Sequence, residues 1–99
     1  MDNSLTIKLR RPVEAHGETL HEIVLREINT EDVIQIGVPV TVGKDGSGTM
    51  NTQLVMKYAS RLGNIPPSTV RNLDARDFMD IINAVMGFFG EGTGENMET

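Results

Sequence analysis

Three aspartates, Asp74, Asp77 and Asp80, recur every third residue at the head of an apolar run. Carboxylates at that spacing share one side of a helix and can hold a metal ion or divide the two halves of an acid–base step. The same positions also obey a simpler rule. Asp74, with Asp77 three residues on, makes a variant of the capping box, and both anions favour the positive end of the helix that follows. Capping is therefore the expected role of these carboxylates. His16 and His21 are the two imidazoles, and no His-x-x-x-His pair exists to place two metal ligands on one helix face. The segment 43–49 is glycine-rich, but Gly48 is followed by Thr49 and Met50 where a phosphate loop needs Lys and then Ser or Thr. A dinucleotide fingerprint fails too, because Asn51 stands where its third glycine belongs. Ser4, Ser47, Ser60 and Ser68 lack a Gly-x-Ser-x-Gly elbow, and the chain has no cysteine. The residues predict no catalytic site, no cofactor and no metal.

The elements that carry these side chains are legible from periodicity. Leu5, Ile7 and Leu9 alternate with Thr6, Lys8 and Arg10, which predicts a strand over 5–11. A second strand falls within 20–28, joined through Gly17, which tolerates a positive φ. Leu20 and Ile23 lie on opposite faces of an ideal strand, so this strand either bulges near His21 or begins after Leu20. Asn29 or Thr30 caps a short helix to about residue 36, with Glu31 and Asp32 in its first turn, and Gly37 ends it. Over 38–48, Val38, Val40 and Val42 alternate, but Pro39 demotes any strand to an edge and Lys44-Asp45-Gly46-Ser47-Gly48 reads as a flexible loop.

Leu54, Val55, Tyr58, Ala59 and Leu62 recur at helical spacing over 50–62. Gly63 or Asn64 takes the left-handed conformation that stops this helix, and Pro66 and Pro67 enforce the break. Pro67 suits the first turn of a short helix through residue 73. The last helix, 75–89, aligns Phe78, Ile81, Ile82, Val85 and Phe89, while Met79, Met86 and Phe88 widen the apolar surface beyond one stripe. Residues 90–99 hold three acids and three glycines, a composition expected of a disordered tail.

The expected architecture is α+β, an N-terminal antiparallel hairpin (5–28) laid against three to four helices in a single domain over residues 1–89, its helical part spanning 30–89. At 99 residues there is room for one core, burying about 60–70% of the surface of the unfolded chain. With six Met, three Phe, one Tyr and no Trp, that core is aliphatic with methionine in its gaps. The formal charge is −5, distributed as −1 over 1–30, −1 over 31–60 and −3 over 61–99. Duplex binding draws most of its affinity from clustered Lys and Arg, so this balance argues against nucleic acid. No run of 18 or more apolar residues is present to span a membrane, and the start of the chain has no basic region followed by an apolar stretch. A soluble, unprocessed protein compatible with a reducing cytoplasm is expected.

The run at 61–78, Arg-Leu-Gly-Asn-Ile-Pro-Pro-Ser-Thr-Val-Arg-Asn-Leu-Asp-Ala-Arg-Asp-Phe, resembles the small tail assembly chaperones of contractile-tailed, Mu-like bacteriophages. In that family a Leu-x-x-Leu-Pro-Pro-type break precedes Leu-(Asp/Ser)-x-x-Asp-Phe. Residues 7–12 and 20–27 are similar to the family's opening hairpin, and the two regions together span roughly two thirds of the chain. The resemblance implies a non-enzymatic chaperone in the bacterial cytoplasm. It would keep the long, mainly helical tape measure protein soluble during tail tube assembly and be absent from the mature virion. On that reading Met79, Ile82, Met86 and Phe89 contact the tape measure protein or a second copy, giving a homo-oligomer. Such families are often made in two lengths by a programmed frameshift, and Gly87-Phe88-Phe89-Gly90 is compatible with a slippery run of codons for a frameshift-extended form. Two rival readings stand beside it. One is a small regulatory or nucleic-acid-associated protein using Arg10, Arg11, Arg71 and Arg76, and the other is a structural tail or baseplate component.

Overall fold

The hairpin predicted from alternation is the first element of the computed structural model, which describes residues 4–98 and their side chains as far as Phe89. Strands β1 (Leu5–Ala15) and β2 (Glu18–Leu25) pair antiparallel. The two residues between them, His16 and Gly17, both have positive φ, 54° and 78°. That backbone matches the right-handed twist of the strands it joins. His16 is held there from outside, its Nε2 donating to the Asn64 carbonyl at 3.1 Å.

The irregularity expected near His21 lies on the opposite strand. Leu5 to Lys8 pair with Leu25 to Glu22, and Val13 to Ala15 pair with Leu20 to Glu18. Leu9, Arg10, Arg11 and Pro12 therefore stand opposite His21 alone. Three extra residues in β1 change its phase, so that Leu20 can pair with Val13 and Ile23 with Ile7 although the two lie on opposite faces of an unbroken strand. Pro12, which has no amide to give the ladder, sits inside the bulge. β1 also continues to Ala15, four residues past the expected end, because its buried face resumes at Val13 and Ala15 after the bulge.

Helix α1 (Thr30–Ile36) has Asn29 as N-cap, in a reciprocal capping box with Asp32, and ends at Gly37 with φ 102°. The segment expected to be a flexible loop is a second small hairpin, β3 (Val40–Val42) with β4 (Gly48–Met50). Asp45 organises its turn, accepting from the Ser47 amide at 3.0 Å and the Ser47 hydroxyl at 2.7 Å, while Gly46 supplies φ 87°. Asp-Gly turn chemistry thus outweighs the local glycine content, and Pro39 falls just before the strand rather than within it.

α2 (Thr52–Gly63) is capped by the Asn51 side chain and closed by Asn64 in the left-handed region, φ 54°. α3 (Pro67–Arg71) starts on the proline, as its fixed φ favours, and stops two residues before the expected end. α4 (Ala75–Glu98) follows; the acidic tail expected over 90–99 lies outside the residues whose side chains are described.

One core cluster draws on β1, β2 and helices α2 to α4. Leu25, Val55, Tyr58, Ile81 and Val85 are fully buried. Each aliphatic side chain among them contributes about 1.5–3 kcal/mol by leaving water. The hairpin straddles two helices, β2 on α2 and β1 on α4, with a lighter contact from β1 to α3. The approach of β2 to α2 depends on Gly63, since a Cβ there would stand 3.0 Å from Ile23 Cγ2 and 3.4 Å from Leu25 Cδ2.

Candidate functional site

The apolar face of α4 divides into buried and open parts. Ile81 and Val85 are fully buried and Ile82 is 7% exposed, so Ile82, expected to meet a partner, is a core residue. Its burial follows from its place on the helix next to Ile81, one turn before Val85. Phe89 is half-buried and meets the Tyr58 ring edge-to-face at 5.6 Å between centroids. Met86 is half-buried against the core. Met79 is 55% exposed and is the one of the four that faces water. Beside it, Met56, Leu73 and Phe78 border a cleft of about 310 Å³ between the starts of α2 and α4.

The aspartates at the head of α4 take separate roles. Asp74 caps the helix, accepting from the Arg76 amide at 2.9 Å and the Arg76 guanidinium at 3.1 Å. These bonds hold its carboxyl down at about 2. Asp77 does not complete a capping box. It is fully buried and accepts the Arg10 amide at 3.0 and 3.1 Å, the Arg10 guanidinium at 2.9 Å and the Arg11 amide at 3.4 Å. Burial pushes its carboxyl up, but the Arg10 amide, the Arg10 side chain and the Arg11 amide together outweigh it, and the net shift is downward. The carboxylate thus satisfies the amides that the bulge takes out of the ladder, a long-range contact that local capping rules cannot reveal. Asp80 takes the same guanidinium from the solvent side at 2.8 Å.

A second buried carboxylate, Asp32, was legible only as a first-turn acid. Arg26 grips it with two bonds of 2.9 Å, Arg61 Nε donates at 2.5 Å, and the Asn29 amide closes the capping box at 2.9 Å. The Arg26 guanidinium holds its carboxyl well below the usual carboxylate range against the opposing effect of burial, helped by Arg61 and Asn29. It ties the end of β2, the start of α1 and the last turns of α2 together. Tyr58 adds a bond from its hydroxyl to the Gly37 carbonyl at 2.5 Å, and burial raises its phenol, with Asp32 adding to the shift.

These networks are structural clasps. Among the described residues no three acidic or imidazole side chains gather to hold a metal ion, and no helix is long and apolar enough to cross a membrane. Arg10, Arg11 and Arg76 do converge at the head of α4, but interleaved with Asp74, Asp77 and Asp80. Opposite charges alternating at contact distance do not create the positive field that a phosphate backbone needs.

No curated protein and no solved structure matches the chain. The family described as "Phage tail assembly chaperone proteins, E, or 41 or 14" matches residues 6–90. That span runs from β1 into α4 and takes in both buried carboxylates and the cleft. The chain belongs to this family of phage tail assembly chaperones, whose work is carried out on protein partners.

Proposed function

We propose that this protein binds the tape measure protein of its phage and keeps that long helical chain soluble while the tail tube assembles around it. The observation that carries the reading is the exposed methionine surface on α4. Met79 is more than half exposed on a helix whose neighbouring face forms the core, with Met86 and Phe89 half-buried along the same side. A flexible thioether accommodates many apolar surfaces, which suits a chaperone that covers different turns of one client helix. The ionic side chains at the head of α4 and the start of α1 are occupied in internal pairs, which supports a role without catalysis. On this reading the protein acts in the cytoplasm of the bacterial host and leaves no copy in the mature virion. It is free to associate with itself or with a frameshift-extended form. The contact surface runs through Met79, Met86 and the outer edge of Phe89, with Ile82 supporting it from the core.

Co-expression with the tape measure protein of the same phage tests the proposal. The unaltered chaperone should bring the client into the soluble fraction and co-purify with it, and Met79→Asp should weaken the complex while leaving the fold intact. A client that stays insoluble with the unaltered chaperone rejects the reading.

A further inference from the structure

The cleft beside Met79 has a floor and a rim of different chemistry. Val70 and Leu73 are buried beneath it, and Met56 and Phe78 are half-buried on its walls. Thr52 and Gln53 from the first turn of α2 stand on one side and Arg71 on another. Ala75 also borders it, and Met79 lies one helical turn further along α4. The methionine surface and the cleft therefore adjoin.

The one charged side chain lining the cleft is Arg71, in an acidic protein. Residues 51–73 contain Lys57, Arg61 and Arg71 and no acid, although the whole chain carries −5. Arg61 is committed to Asp32. Among the described residues Lys57 and Arg71 are in no ion pair. Lys57 stands one turn beyond Gln53 on α2. The N-terminus of α2 opens onto the same place with no acid in its first turn, so the positive end of its dipole is not neutralised there. Asp74, next to the cleft residues Leu73 and Ala75, is already held by Arg76.

We propose that this cleft is the docking groove for one amphipathic helix of the client, whose apolar stripe lies on Met56, Leu73 and Phe78 and whose flanking carboxylates face Arg71 and Lys57. The inference rests on the chaperone reading and specifies the chemistry of the segment that is bound. Helix-in-groove recognition takes apolar anchors at i, i+3, i+4 and i+7, and the charges beside that stripe decide orientation and choice of partner. Among the helix acids whose side chains are described, a second copy of this chain fits less well: Asp32 and Asp77 are buried in ion pairs, Asp74 and Asp80 are paired with arginines, and Glu31 accepts from Gln35. None of these offers an uncommitted acidic flank.

Two labelled synthetic helical peptides with one leucine stripe, flanked by Glu in one and by Lys in the other, provide the probes for fluorescence anisotropy with the full-length protein. The Glu-flanked peptide should bind at least about tenfold tighter. Raising salt from about 0.05 to about 0.5 M should erode that preference. Combined Arg71→Glu and Lys57→Glu, both exposed positions, should abolish or invert it, whereas Met56→Asp should weaken both peptides. Equal binding of the two peptides, or a preference untouched by the double charge reversal, overturns the proposal. So does sedimentation of the protein alone as a dimer that Arg71→Glu dissolves, since a second copy would then occupy the groove. Tape measure capture that survives the double charge reversal keeps the chaperone reading and rejects the groove. A protein that discriminates the peptides but ignores the tape measure protein keeps the groove and rejects the reading.

Discussion

Replacing Asp77 by Asn keeps the size of the side chain and removes the charge that holds the β1 bulge to α4. In the native fold both carboxylate oxygens accept from the Arg10 amide and a third, longer bond comes from Arg11. The asparagine amide turns one of those oxygens into a donor that faces other donors in a fully buried site. The remaining oxygen still serves the Arg10 amide, but the Arg11 amide is left facing a donor at a cost of about 1–3 kcal/mol, and the bonds that survive are no longer made to a charge. The Arg10 guanidinium adds little to that loss, because its side chain is 44% exposed and water screens the pair. A destabilisation of about 2–4 kcal/mol is expected, a large share of the roughly 5–15 kcal/mol available to a domain of this size. At about 4–8 °C per kcal/mol, the melting temperature should fall by roughly 8–32 °C. Thermal unfolding followed by circular dichroism reads the loss, and urea titration gives it independently. Asp80→Asn is the internal control, since Asp80 is 41% exposed and meets the same guanidinium; its cost should stay within about 1 kcal/mol. Hydrogen exchange at the Arg10 and Arg11 amides should accelerate only in the Asp77 variant. Equal losses for Asp77→Asn and Asp80→Asn would refute the clasp.

Gly63→Ala should destabilise by about 1–3 kcal/mol by overpacking against Ile23 and Leu25; Gly87→Ala, which meets open space within α4, should stabilise by about 0.5–1 kcal/mol, and urea midpoints compare the two directly. The folded-state carboxyls of Asp32, Asp74 and Asp77 all lie below their ordinary value. Their stabilisation is therefore complete above the unfolded value of about 3.9 and is lost as pH falls below it. Acid titration should show a stability plateau above about pH 5 and a decline below about pH 4, with a shallower decline in Asp32→Asn than in the unaltered protein. Tyr58→Phe should cost about 1 kcal/mol through the Gly37 carbonyl it leaves without its partner, measured by thermal melting. Mass spectrometry of purified virions should find no peptides of this chain; its presence in stoichiometric amount would favour a structural tail component.

Periodicity and caps made most of the scaffold legible. Asn29, Gly37, Asn64 and Pro67 each mark a helix end by a local backbone requirement, and the structure uses each one there. The same local logic failed where a contact bridges distant residues. Asp77 looks like the second half of a capping box because Asp74 is three residues away, yet its partners lie 66 and 67 positions earlier in a bulge that the alternation of β1 did not announce. Asp32 was visible as a first-turn acid, but the Arg26 and Arg61 that bury it come from two other elements. On α4 the stripe rule recognised an apolar helix without separating its core from its open side. That division follows from where β1 and α2 pack, which leaves Met79 in water and Ile82 inside. The cleft was not legible at all, since Met56, Arg71 and Phe78 meet only once the proline break folds α3 between α2 and α4.

The most direct test of the account is a co-purification of the tape measure protein with this chain from one expressing cell, followed by size-exclusion chromatography with light scattering. The account predicts a soluble complex in which the client is lost to the pellet when the chaperone is omitted and the yield falls with Met79→Asp. A chaperone that elutes alone, as a monomer beside an unaffected client, contradicts it.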